Sequence, residues 1–200
     1  MNIRTRLINN MPSGAEMTKQ VNFGTALGLT KTAKEGQEAV VDALKSTFTL
    51  RGNWYQQSNK FGIRITPAKK DKLVAEVKTA ADWLEPHEEG KDKAGRGGDL
   101  AIPTQEVRRN KRDIITRANR PKGLGAKVFK LQTRRGPVLA QRMKRGNRKG
   151  LIILYGLERT VKIKKRSTFH EPIKKIVDKN LKGNIKTGIM RAFATMKVKG

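Results

Sequence analysis

The chain has 200 residues, with 45 Lys and Arg against 17 Asp and Glu, and its formal net charge of +28 calls for a polyanion or an acidic surface as partner. The absence of cysteine excludes disulfides, thiolate metal sites and cysteine nucleophiles. A hydrophobic content of 36% supports a folded centre with polar arms, and no apolar run is long enough to span a bilayer, so a soluble protein made in the cytoplasm is expected, with no membrane partner.

Residues 1–20 carry Pro12 and Gly14, show no hydrophobic period and lack the apolar centre of a secretion signal. They read as a flexible arm that orders on contact, ahead of a single domain over 21–200. Phe23, Ala26, Leu27, Thr30, Ala33, Gln37, Val40 and Leu44 then recur every three or four residues, which predicts an amphipathic helix to about Ser46. Gly24, Gly28 and Gly36 each cost it up to about 1 kcal/mol of propensity, so the helix must lean on a partner.

Strands are predicted in "FTLRGNW", in "FGIRITPA" and in "KLVAEVKT". Pro86 and several glycines make a long loop of about 80–99, with one helical turn around Trp83. "LAIP" reads as a short strand stopped by Pro103, and a second extended loop covers 104–125. "AKVFKLQ" and "GPVLAQRM" form strands joined by a Thr-Arg-Arg-Gly turn, and "GLIILYGLERTVKIKK" is the most strand-like segment. A long terminal helix opens with Thr168 and Glu171 at capping-box spacing and holds Ile173, Ile176, Val177, Leu181, Ile185, Ile189, Ala192, Phe193 and Met196 on one face. The predicted class is α+β: a central antiparallel sheet packed by an N-terminal amphipathic helix and a long C-terminal helix, with long basic and acidic loops.

Enzyme chemistry has little to stand on. His87 and His170 are the two histidines, and neither stands in a recognisable catalytic motif. No HExxH, phosphate-loop or GxSxG pattern occurs, so no catalytic, cofactor-binding or metal-ligating residue is assigned and no enzyme activity is expected. Asp82, Glu85, Glu88, Glu89 and Asp92 lack the alternation of a metal loop. The first four read instead as an acidic subunit interface that meets the positive face of a neighbouring copy.

From Arg108 to Lys149 there are sixteen Lys or Arg and one acid, Asp113, a net +15 over 42 residues. Arg108, Arg109, Lys111, Arg112, Arg117, Arg120 and Lys122 lead this run as a subunit-interface or DNA-facing set. Contact with phosphate would be salt-dependent and indifferent to sequence. Base recognition is disfavoured, because Phe129 is the one aromatic in the run. The bland alternative is a solvated face that keeps an assembly component soluble. Trp54 and Trp83 read as interface or core anchors.

The order "FGTALGLTKTAKEGQEAVVDALKSTFTLRGNW", "GIRITPA", "LAIPTQEVRRNKRDIITRANRPKG" and "LIILYGLERTVKIKKRSTFHEPIKKIVDKNL" resembles the bacteriophage tail-completion and head–tail joining proteins of the minor tail protein Z type. Its marks are Arg51, Asn53 and Trp54, Ala101 to Thr104, the pair Arg108 and Arg109, Asn119-Arg120-Pro121, and Phe169. The Lys-rich loop at 90–96 departs from the pattern. The resemblance covers the chain from about residue 22 and implies a structural virion protein at the tail–head junction, assembled in the host cytoplasm. It further implies a ring of copies, sixfold, that touches tail tube, tail terminator and connector proteins, with non-specific contact to phage DNA. A basic nucleic-acid- or ribosome-associated binding protein is the alternative.

Overall fold

The computed structural model describes residues 13–95, 98–145 and 148–196. Ser13 opens the first helix: its hydroxyl accepts from the Glu16 N–H at 3.3 Å, and the Glu16 carboxylate accepts from the Ser13 N–H at 3.0 Å. Helix α1 then runs Gly14–Thr47. Residues 14–20 of the expected arm are therefore helical, because a capping box starts the helix upstream of its hydrophobic period, while residues 1–12 of that arm lie outside the described residues.

The partner that α1 needs is the terminal helix α4, His170–Ala194. The two backbones meet at glycine. A Cβ on Gly24 would lie 2.4 Å from Ile189 Cα, one on Gly28 would lie 2.5 Å from Ile185 Cα, and one on Gly188 would lie 2.2 Å from the Gly24 carbonyl oxygen. No side chain fits there, so glycines that cost helix propensity are what let the helices touch. The buried stripe of α1 accordingly follows Gly24, Gly28, Ala33, Gly36, Val40 and Leu44, whereas Phe23 and Leu27, expected in the core, are 43% and 39% exposed. Phe193 of α4 is likewise exposed, and Asn184, Gly188 and Ala192 are buried in its place.

Asn184 makes the seam specific: its amide donates to Thr32 Oγ1 at 3.1 Å and to Glu35 Oε2 at 2.9 Å, and Asn180 donates to the same Glu35 oxygen at 2.9 Å. A buried amide must find partners, and this one finds them in a single register of the helix pair. The expected Thr168 cap does not form as read. Phe169 occupies the cap position without a side-chain cap bond, and Thr168 is itself buried. Pro172 sits in the first turn, where an N–H has no intrahelical acceptor.

Strands β1, Arg64–Thr66, and β2, Glu76–Lys78, form an antiparallel pair that packs on α1, with Val77 near Gly36 and Gln37 donating to the Ile63 carbonyl. "FTLRGNW" is not a strand. The chain leaves α1 at Phe48 and enters successive turns, with Gln56 N–H on the Asn53 carbonyl at 3.1 Å and Asn59 N–H on the Gln56 carbonyl at 2.9 Å. Gly52, Asn53 and Asn59 supply turn chemistry that outweighs the apolar alternation.

Where a single domain over 21–200 is expected, the chain divides into two compact units. The first holds α1, β1, β2 and α4; the second holds residues 50–52 and 83–166. The second contains β4 (Leu100–Pro103), β5 (Phe129–Thr133), β6 (Gly136–Arg145) and β7 (Arg148–Glu158), an antiparallel sheet in the order β4-β7-β6-β5. The turn between β5 and β6 places Gly136 at φ 119°, a left-handed conformation suited to glycine. A separate antiparallel pair joins β3, Asp92–Ala94, to β8, Thr160–Lys162. The α+β class holds, with α1 packed on α4 and the strands all antiparallel; among the described residues they form three sheets rather than one central sheet, the three-residue strands β1 and β2, and β3 and β8, pairing off in twos. The four-stranded sheet has its own core of Val107, Leu154 and Tyr155, with Ala101, Ile115, Leu124, Val128, Leu139 and Ile152 packed around it.

Candidate functional site

The basic loop begins where β4 ends. Thr104 fastens it to β7, its N–H donating to the Leu154 carbonyl at 2.9 Å and its hydroxyl to the Ile153 carbonyl at 2.8 Å. Val107, Ile115 and Leu124 then drop into the sheet's core, three apolar pegs spaced along a segment that otherwise carries charge. Between the pegs, Asn110 closes a tight loop: its side-chain oxygen accepts from the N–H groups of Arg112 and Ile114 at 3.0 and 2.9 Å. Asp113 holds φ 57° in that loop and binds Arg51, with Arg109 3.4 Å from both of its oxygens. The single acid of the basic run therefore shapes the loop by holding two guanidiniums.

The second half of the loop is tied in the same way. The buried Tyr155 hydroxyl donates to the Asn119 carbonyl at 2.6 Å, and the Asn119 amide donates to the Arg108 carbonyl at 3.1 Å. Burial pushes the Tyr155 hydroxyl above its usual pKa, against the opposing charges of Arg109 and Arg120, so it remains a donor at neutral pH. Pro121 opens the one-turn helix α3, Pro121–Leu124. Gly123 lies against the Arg117 carbonyl, 2.2 Å from where a Cβ would stand. The outcome is a structured loop whose seven singled-out cations, Arg108, Arg109, Lys111, Arg112, Arg117, Arg120 and Lys122, are all exposed. A cleft of about 470 Å³ opens among Arg51, Arg109, Arg120, Pro121, Ile114 and Tyr155. Arg51 and Tyr155 are the members that charge counting missed: they lie 57 and 35 residues from Arg108 and Arg120, and no local pattern links them.

Comparison with family models, with curated proteins and with solved structures finds no match for this chain. Its chemistry is read from its own residues.

The acidic residues are less uniform than their spacing suggests. Asp82 lies in a 3-10 turn, Asp82–Leu84, and Glu85, Glu88 and Glu89 in the short helix α2, Glu85–Glu89. Glu85 binds Lys91 at 3.2 Å and Glu89 binds the same ammonium, whose pKa is raised by the hydrogen bonds it donates to Glu89 and then Glu85. Glu88 is buried, which corrects its assignment to an acidic surface: it follows the buried Leu84 by four residues on one face, while Glu85 and Glu89 are exposed. Trp83 is 43% exposed beside them, and Leu84 takes the core position. Trp54 is half-buried and meets the Tyr55 ring edge-on at 6.2 Å. Phe169 is half-buried and meets the His170 ring at 5.6 Å. His87 is pushed below its usual pKa by burial and by Arg166 and Lys93. Among the described residues no group of histidines and carboxylates is arranged to hold a metal, and no helix is long and apolar enough to cross a membrane.

Proposed function

We propose that this protein is a structural virion component of a tailed bacteriophage that completes the tail and joins the tail tube to the head–neck connector as a ring. The order of residues from Phe23 to Leu181 supports the family reading, through its resemblance to tail-completion proteins. The observation that carries the role is the basic loop, whose exposed cations sit on a segment pegged by Val107, Ile115 and Leu124. A docking surface needs its charges at fixed positions, and side chains held on a rigid segment lose less freedom on contact. An acidic face of a tail or connector protein, or the phosphates of DNA passing through the junction, suits such a surface.

Reversing Arg108, Lys111 and Arg112 to Glu tests this role. All three are exposed, so the variant should fold with an unchanged melting temperature while its incorporation into particles falls at least about tenfold. Normal incorporation would remove the loop from the assembly surface. A second reading, a nucleic-acid- or ribosome-associated binder, is favoured by the same excess of exposed cations. It requires that the purified protein bind duplex or RNA with an affinity falling steeply with salt, and without a tail partner.

A further inference from the structure

A second charged surface belongs to the first unit. Along α1 and α4 runs a groove of about 890 Å³ whose apolar lining includes Phe23, Ala26, Leu27 and Pro67. Phe23 and Leu27 stand there 43% and 39% exposed. Its rim carries Lys31, Lys34, Lys69, Lys70 and Arg191 against one acid, Asp71. Large open apolar side chains framed by charge of one sign mark a place for an apolar anchor with charge of the other sign.

The chain's own ends do not fit. Residues 1–12 carry Arg4 and Arg6 and no acid, and residues 197–200 carry Lys197 and Lys199 and no acid. One stretch of the chain does. From Asp82 to Glu89 there are four acids and no Lys or Arg, and Asp82, Glu85 and Glu89 are exposed around an exposed Trp83. Lys91 bridges two of those carboxylates and still leaves the stretch acidic.

We propose that this groove receives the Asp82–Glu89 stretch of a second copy of the chain, with the Trp83 indole on Phe23 and Leu27 and with Asp82 and Glu85 facing Lys34 and Lys70. An indole buries about 200 Å² and is a common anchor at interfaces. Groove and stretch are different patches, so copies in the proposed ring join groove to stretch in succession, a heterologous contact of the kind that closes into rings when the rotation permits. The inference deepens the proposed ring by naming its contact and rests on that reading. It also resolves how copies with a net charge of +28 can meet, by placing the most acidic stretch against a basic rim.

The test compares wild type with a groove variant, Lys34→Glu with Lys70→Glu, and a loop variant, Asp82→Lys with Glu85→Lys. Oligomeric state is read by light scattering and contacts by carbodiimide cross-linking, which joins carboxylates to amines in contact. Wild type should self-associate at low salt, with cross-links from Asp82 or Glu85 to Lys34 or Lys70. Each variant alone should associate at least about tenfold more weakly, and an equimolar mixture should associate again, since each variant then offers the surface its partner needs. Trp83→Ala, which leaves charge untouched, should weaken association comparably. A mixture that stays monomeric while circular dichroism shows both chains folded overturns the contact, as does a wild type monomeric at every concentration. Wild-type oligomers with cross-links elsewhere overturn it too and leave the ring standing, whereas isolation without tail proteins counts against the ring itself.

Discussion

Glu35 shows how one side chain is set by its neighbours. Hydrogen bonds from Asn180 and then Asn184, with the charge of Lys31, hold its carboxyl below the ordinary value of 4.5, while burial works in the opposite direction. Folding lowers this pKa, so the stabilisation is complete above the unfolded value and is lost as pH falls through the folded one. Glu35→Gln should therefore cost about 1 kcal/mol at neutral pH. Denaturant titrations across pH should show that cost shrinking below about pH 4.5; a difference unchanged down to the acid limit would contradict the assignment. None of this was legible beforehand. Asn180 and Asn184 sit at polar positions in a helix pattern, and only the register against α1 aims them at Glu35.

At the scale of elements, both long helices were legible because their apolar positions repeat over many turns. Their glycines were legible only as a cost, since propensity is a local quantity and close approach is not. Gly188→Ala discriminates between the two descriptions. Propensity alone would gain up to about 1 kcal/mol, but the new methyl meets the Gly24 backbone, so a net loss of about 2 kcal/mol or more is expected. Gly183→Ala in the same helix is the control, with nothing within 4 Å of its Cβ, and should stabilise. Thermal melts that rank the two variants the other way round would refute the glycine seam. The strands of the second unit were legible from "LAIP" to "YGLE", where apolar alternation is sustained. The misread strand at 48–54 failed on turn chemistry, and the upstream start of α1 on a capping box hidden in an apparently polar arm.

For the whole molecule, net charge announces a charged partner without saying which surface meets it. The basic loop is legible in the count of charges, whereas its fixation by Tyr155, Asn119, Asp113 and Arg51 depends on β7 and the segment at 50–52 folding against it. The groove on α1 and α4 escaped notice because Lys31, Lys34, Lys69, Lys70 and Arg191 come from three parts of the chain. Under the proposed assembly role, the basic-rimmed groove and the acidic stretch join copies while the basic loop engages a second partner.

The most direct measurement is to tag the protein in its native setting, isolate it after nuclease treatment at moderate salt, identify the co-purifying chains by mass spectrometry and image the assemblies. If the proposed role is right, tail-tube, terminator or connector proteins co-purify in stoichiometric amounts, with rings at the neck of particles. Ribosomal proteins or nucleic acid alone, with no tail component, would contradict it.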